Sequence, residues 1–431
     1  MAGTGIGSAL CRRGGKMQHG VGNAGQPDEA AAIIEIGQQW HRTQPAHAFG
    51  SLCPADKGEH AEPPHQPGNR TQGNIAASDD KNSFHSHIIS RPMPYQISLQ
   101  PGGQTFSADA DQTILEAALE AGLLLPYSCR DGACGACKGR VISGEFDVDG
   151  YSASALSDAE REAGMTLFCR TRAHSSMVLE ARNVSRAGDI PVKKLPCRVQ
   201  KLTRVADDVI VLELKLPASE PFRFNAGQYV DILLPDGARR SFSIANAPHD
   251  NGHIELHVRL IAGGRFTGQV FSTMKERDIL RFEGPLGSFW LRDSTRPIVM
   301  VAGGTGFAPI KGMIEHAIHA GITRPITLYW GARQPEGLYM DALARSWSAS
   351  LPGFSYVPVI SDGLPDDGWD GRRGLVHEAV LADFADLSAH EVYACGAPPM
   401  IDAARSSFVE ARGLAEDAFF ADAFTFATQN A

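Results

Sequence analysis

"PYSCRDGACGACKGRV", residues 126–141, carries three of the chain's eight cysteines, at Cys129, Cys134 and Cys137. Glycine and alanine fill most of the space between them. A reducing compartment keeps thiols free, so thiols clustered this densely point to a metal or to catalysis rather than to disulfides. The spacing is four residues and then two, and one distant cysteine, Cys169 in "LFCRTRA", is available as a fourth partner. Structural zinc sites come instead as two short CxxC-like hooks. A set of inert buried cysteines is the other alternative. Cys11, Cys53 and Cys197 stand outside the constellation and read as incidental.

The pattern Cys129-x4-Cys134-x2-Cys137 with a remote Cys169 is the plant-type [2Fe–2S] spacing. Four thiolates must converge on two irons, and a tight loop supplies three of them from one side. Gly132, Ala133, Gly135 and Ala136 leave backbone N–H groups free to approach the sulfurs, where larger side chains would obstruct them. Cys129, Cys134, Cys137 and Cys169 are therefore the expected metal ligands.

Around this loop the chain reads as several bodies, as 431 residues would allow. Residues 1–92 mix Pro, Gly, His and Gln, and only "EAAAIIEIGQQW" has helical periodicity; a disordered extension is expected there, with Met93 as a candidate natural start. From Tyr95, "YQISLQ-PGGQ-TFSADA" predicts a hairpin. "DQTILEAALEAG" predicts a helix capped by Asp111, with Ile114, Leu115, Ala118 and Leu119 on one face. Residues 93–184 form this first domain, and 185–193, "SRAGDIPVK", a linker. Residues 194–294 are strand-rich ("CRVQKLTRV", "VIVLELKL", "QYVDILLP", "RSFSIAN", "HIELHVRLI") and predict an antiparallel barrel. Residues 295–431 alternate strand and helix, which predicts an open parallel α/β domain. The fold class is thus α/β and α+β, multidomain.

A net charge of −9 disfavours nucleic acid as the main partner, and no apolar run is long enough to predict a membrane span. The N-terminus sets its basic residues after a short apolar stretch, the reverse of a signal peptide, so a cytoplasmic location is expected.

Residues 93 to about 183 resemble a plant-type ferredoxin, which implies a β-grasp fold. "ARRSFSIANAP" and "VMVAGGTGFAPIKGM" resemble the ferredoxin–NADP reductase superfamily. Ferredoxin, then flavin domain, then nicotinamide domain is the order of the NADH-dependent reductase components of multicomponent oxygenases. It is also the order of the CDP-6-deoxy-Δ-3,4-glucoseen reductases, which "MPYQISLQPGG" and "FFADAF" resemble slightly more.

The resemblance implies that Arg240, Phe242 and Ser243 match a flavin-binding R-x-Y-S signature with Phe in the tyrosine slot. The arginine would pair with the pyrophosphate and the aromatic ring would cover the flat ring system. Gly263 and Gly264 would admit a close backbone approach, and Thr267, near a helix start, would meet phosphate. The domain order implies FAD rather than FMN. Gly303, Gly304, Thr305 and Gly306 end an apolar strand, with Pro309 at the next helix start, and match the GGTGxAP turn that faces the dinucleotide. Cys395 and Gly396, in "VYACGAPPMI", match the superfamily's strand end beside the nicotinamide, where the cysteine orients the ring and is no nucleophile. Glu336 and the absence of a basic cluster after "LYWGAR" favour NADH over NADPH. Phe419, Phe420 and Phe424 suit core packing as well as a place near the flavin.

The electron path so implied runs from NADH to FAD, then to the [2Fe–2S] cluster, then to a separate redox protein, an oxygenase or a deoxysugar dehydratase component. A rival reading is a ferredoxin-type carrier or redox sensor with inactive reductase domains, which the intact glycine and arginine motifs oppose. A flavohaemoglobin-like enzyme fails for want of a globin segment.

Overall fold

The computed structural model describes residues 93–425 apart from 187, 189, 251 and 363–367, so the readings of residues 1–92 lie outside the described residues. The first body begins with the expected hairpin, β1 (Tyr95–Gln100) and β2 (Thr105–Ala108), paired antiparallel with Ser98 opposite Thr105. Helix α1 (Ile114–Glu120) follows and buries Ile114, Leu115, Ala117 and Ala118, while Leu119 is half-buried. Its N-cap is Thr113, not Asp111. The reason lies three residues on: Glu116 accepts from the Thr113 N–H at 2.9 Å while Thr113 Oγ1 accepts from the Glu116 N–H at 3.2 Å. Such a reciprocal box satisfies two end donors where Asp111 would satisfy one.

The chain continues through β3 (Leu123–Leu124), β4 (Lys138–Ser143), β5 (Phe146–Val148), α2 (Asp158–Glu162), β6 (Met165–Leu167), β7 (Thr171–Ala173) and β8 (Met177–Glu180). The main sheet has the order β2-β1-β8-β4-β6, with β1 and β8 parallel. Ser185 and Arg186, expected in the linker, form β9 and pair with β3, so the first body holds them. Ile97, Leu99, Phe106, Leu167, Phe168 and Leu179 fill the core on which the cysteine loop sits.

The second body is an antiparallel barrel of β10 (Lys193–Ala206), β11 (Val209–Lys215), β12 (Tyr229–Leu233), β13 (Arg239–Ser243), β14 (His253–Arg259) and β15 (Ile279–Leu286), in the order β13-β12-β15-β10-β11-β14. Ile244 bridges Leu256 and closes the ends of that order. Helix α3 (Arg265–Ser272) packs Phe266 and Val270 into the barrel core. β15 is not among the strands expected from the sequence, since its "ILRFEGPL" carries Gly284 and Pro285.

The third body holds β16 (Ile298–Gly303), α4 (Phe307–His319), β17 (Ile326–Ala332), α5 (Asp341–Ser350), β18 (Phe354–Ile360), β19 (Arg372–Arg373), α6 (Val376–Asp383), β20 (Glu391–Gly396), α7 (Pro398–Arg412) and β21 (Phe419–Ala423). All six strands run parallel in the order β19-β18-β17-β16-β20-β21. The three bodies belong to one compact unit. No helix among the described residues is long and apolar enough to cross a membrane.

A buried ionic network joins barrel and α/β domain. Lys311 on α4 bonds Glu255 on β14 at 3.2 Å and Glu315 at 2.8 Å. Glu255 also accepts from or shares a proton with His257 Nε2 at 2.9 Å, and His257 Nδ1 meets the Tyr339 hydroxyl at 2.8 Å. Burial pushes the His257 pKa down, against the pull of Glu255. Burial works against ionised Glu255, but Lys311 and then His257 hold it well below the carboxylate range. Below the ordinary histidine value of 6.5, the unfolded chain takes up a proton that native His257 refuses. Glu255 adds to the loss below its ordinary value of 4.5, while Glu315, raised by burial, offsets part of it. The unfolding midpoint is therefore expected to fall as pH drops below 6.5, and His257→Gln to flatten the upper part of that decline. Thermal unfolding of both proteins across this range checks it.

Candidate functional site

The four expected ligands converge. Cys137, on the loop before β4, has its sulfur 3.2 Å from that of Cys169, which follows β6. Cys129 and Cys134 form the other pair, sharing a hydrogen bond that raises the Cys129 thiol and lowers that of Cys134. The matching bond to Cys169, followed by burial, raises Cys137. No three His, Cys, Asp or Glu side chains among the described residues could hold one metal ion together. Two pairs of thiols are instead what two bridged irons require, so the donor set fits a [2Fe–2S] cluster and not a single zinc. Gly132 and Gly135 lie at φ 81° and 74°, the left-handed region glycine favours. A Cβ on Gly132 would come within 2.9 Å of the Gly150 carbonyl oxygen, so the loop closes only on glycine.

The flavin candidates lie on β13, which stands at one end of the barrel's strand order next to the Ile244–Leu256 closure. Arg240 is half-exposed and pairs with no carboxylate among the described residues; it donates to the Arg239 carbonyl at 2.7 Å. A guanidinium left so is fit to meet a pyrophosphate. Phe242 packs against Phe266 at 5.3 Å between ring centroids, leaving it half-buried. Ser243 is buried and its hydroxyl reaches Asp422 Oδ2 at 3.4 Å. Gly263, at φ 72°, and Gly264, the N-cap of α3, make the expected tight entry. Thr267 departs from expectation. Its hydroxyl turns back on the loop, accepting from the Ile261 N–H at 3.2 Å and lying 3.3 Å from the Gly264 carbonyl. It closes the loop and has no hydroxyl to spare for phosphate.

The nicotinamide candidates meet at the ends of β16 and β20. Gly303 closes β16, Gly304 to Gly306 form a short 3-10 turn, and Pro309 stands in the first turn of α4. A Cβ on Gly306 would lie 2.1 Å from the Cys395 carbonyl oxygen, and one on Gly303 would lie 2.6 Å from Met400 Sδ. Gly396 sits at φ 157°, its Cβ position 3.2 Å from Gly303. These glycines let two strand ends touch. The half-buried Thr305 hydroxyl bonds no protein group among the described residues and is free for a ligand. Cys395 is fully buried, and burial followed by Asp422 raises its thiol far above the usual range, which disfavours the thiolate.

Two residues escaped the sequence reading. Arg259, at the end of β14, places a guanidinium nitrogen 2.6 Å from where a Gly304 Cβ would stand, over the glycine turn, and its Nε has no hydrogen bond although Asp208 lies 3.0 Å away. An arginine within the strand "HVRLI" carried no motif. Asp422 is the second. It is wholly inside the protein, between Ser128 Oγ at 2.5 Å and Ser243 Oγ, and its strand partner is Cys395. Burial raises its pKa, against the two serine hydroxyls. The carboxyl thus bonds the cysteine loop and the R-x-F-S strand, while the residue's backbone pairs with the nicotinamide strand end. The Phe residues beside it are core: Phe419 and Phe420 are buried, and Phe420 stacks on Tyr393.

Comparison with known proteins agrees with this geometry. Residues 97–174 match the 2Fe-2S iron-sulfur cluster binding domain, 196–290 the oxidoreductase FAD-binding domain and 300–406 the oxidoreductase NAD-binding domain. The chain is 42% identical to the CDP-6-deoxy-L-threo-D-glycero-4-hexulose-3-dehydrase reductase of Yersinia pseudotuberculosis, over 77% of this chain and 99% of that one. It is 37% identical to reductase component 1 of terephthalate 1,2-dioxygenase from Comamonas sp, over 77% and 98%. Among solved structures it resembles the Amycolatopsis cytochrome P450 reductase GcoB with a TM-score of 0.63 at 33% identity, covering 78% of this chain and all of that one.

Two substitutions probe the site. Cys169→Ser should abolish bound iron and sulfide, by chemical analysis, while bound flavin stays. Gly306→Ala should destabilise the protein by about 1–3 kcal/mol in denaturant titration, since its new methyl meets a backbone carbonyl.

Proposed function

Since this chain belongs to the reductases that join a 2Fe-2S domain to FAD- and NAD-binding oxidoreductase domains, we propose that it draws electrons from NADH and delivers them singly to a separate redox protein. It is an oxidoreductase with sites for a [2Fe–2S] cluster, FAD and a nicotinamide dinucleotide. The observation that carries the proposal is the meeting of all three motifs around Asp422. A carrier with inactive reductase domains would have no use for that convergence.

The bound cofactors supply hydride acceptance and its division into single electrons. The chain binds and orients. Arg240 would hold the flavin pyrophosphate, Phe242 would cover the ring and Ser243 would bond its polar edge. Gly303 to Gly306 would admit the dinucleotide, with Thr305 and Arg259 toward its phosphates. Cys395 would press the nicotinamide into place without reacting. Cys129, Cys134, Cys137 and Cys169 would ligate the irons.

For the dinucleotide we favour NADH. Asp362 neutralises Arg333 at 2.6 Å and Glu336 lies exposed in the following turn, which supports a dinucleotide without a 2′-phosphate. For the acceptor, the 42% relative favours a nucleotide-deoxysugar dehydrase; the 37% dioxygenase reductase makes a terminal oxygenase the second reading. Ligand thiolates of a low-potential cluster suit the reducing cytoplasm, where we place the protein.

Steady-state assays test this. NADH should reduce ferricyanide and cytochrome c through the parent protein, with a higher kcat/KM than NADPH. Cys169→Ser should keep the ferricyanide reaction and lose most of the cytochrome c reaction. Arg240→Ala should weaken FAD binding by about 1.5–3 kcal/mol, read by flavin fluorescence titration. Loss of both reactions in Cys169→Ser, with flavin still bound, would contradict the proposed path.

A further inference from the structure

We propose that Arg130 is a positioning residue that latches the iron–sulfur loop to the flavin barrel, and so controls flavin-to-cluster transfer without touching nicotinamide-to-flavin transfer. The proposal rests on the function read above.

The residues just before and after the first ligand spend their bonds on other domains. The Tyr127 N–H donates to Ser288 Oγ at 3.0 Å, and the Ser288 N–H donates back to the Tyr127 carbonyl at 3.3 Å. Ser128 Oγ donates to Asp422 Oδ1 at 2.5 Å, while its carbonyl accepts from the Tyr229 hydroxyl. Arg130 reaches Asp231 Oδ2 at 2.7 Å. Tyr229 and Asp231 lie on β12, Ser288 just after β15 and Asp422 on β21. Cys129 is bracketed by these bonds on both sides.

Two further features separate a latch from ordinary loop packing. Arg130 holds φ at 62°, in the left-handed region that costs a non-glycine residue strain, so its side chain must be held by the contacts it makes. The carboxylate it meets is 5% exposed and already served by Ser241 Oγ at 2.6 Å and Arg239 at 3.4 Å. Asp231 therefore does not need Arg130 to be satisfied. The bond serves the loop.

Electron transfer weakens exponentially with separation, so a loop that swings free loses rate steeply. Arg130 and Asp231 bond none of the residues assigned above to the nicotinamide. The two steps should therefore respond differently.

The test uses the full chain with its cofactors. Arg130→Met cuts the bridge from the loop and Asp231→Asn weakens it from the barrel, far in sequence from any ligand. Each is mixed anaerobically with NADH. Flavin reduction is followed by absorbance and cluster reduction by electron paramagnetic resonance of freeze-quenched samples. Hydrogen–deuterium exchange is measured separately over residues 126–130 and β12. We expect flavin reduction unchanged, cluster reduction slowed roughly tenfold or more, and faster exchange in both segments. If Arg130→Met fails to keep its cluster, Asp231→Asn carries the kinetic test alone. Parental cluster reduction in the cluster-bearing variants, or exchange unchanged in both, would overturn the latch. If the parent itself reduces flavin but never the cluster, the functional reading fails instead, and the exchange data still decide whether the loop is held.

Discussion

A carboxyl with no access to water must find donors, and Asp422 finds its donors in two other parts of the protein. Ser128 comes from the cysteine loop and Ser243 from the barrel. Left unmet, such a group costs several kcal/mol, on the order of the protein's whole margin of stability. Burying Asp422 and bringing the three bodies together are therefore one event. The same event sets the thiols, the β13 strand and the glycine turn around a common centre.

The two joints of that assembly differ in kind. Between barrel and α/β domain lies the network of Lys311, Glu255, His257 and Tyr339, whose charged ends are almost wholly shielded. Such a network tolerates little relative motion, since any displacement strands a buried charge. Hydride transfer needs that fixity, because it requires near contact of the reacting atoms. The iron–sulfur body is joined by hydroxyls, backbone bonds and one Arg–Asp bridge whose arginine is 30% exposed. The exposed pair of Arg182 with Glu416 adds little in water. A weaker joint suffices there, because electrons can cross a longer gap than a hydride.

Much of this was legible in the chain and some was not. The cysteine spacing, the alternation of the barrel strands and the glycine turn after "PIVMVA" each depend on neighbours in sequence, and each stands where it was expected. Strand β15 was hidden by its own Gly284 and Pro285. Proline is tolerated there because the ladder to β12 is irregular between Tyr229 and Asp231, and bulged pairing is where a strand accepts proline. The cap at Thr113 was hidden by an earlier Asp111, since a reciprocal bond with Glu116 outweighs a nearer carboxylate. Thr267 looked available for phosphate until the loop folded back to use its hydroxyl.

The amino-acid sequence by itself determined which three cofactor domains the chain carries: a 2Fe-2S domain with its four spaced thiols, a FAD-binding domain and an NAD-binding domain. These are local, because ligand type and spacing or backbone freedom belong to a few adjacent residues. Only the tertiary structure decided how the sites are joined. Asp422 lies 294 residues from Ser128 and 179 from Ser243, in a stretch of phenylalanines whose sequence suits core packing as well as a place near the flavin. No periodicity or spacing marks a contact across such distances, because it exists only once packing has driven out the water that would otherwise satisfy each group.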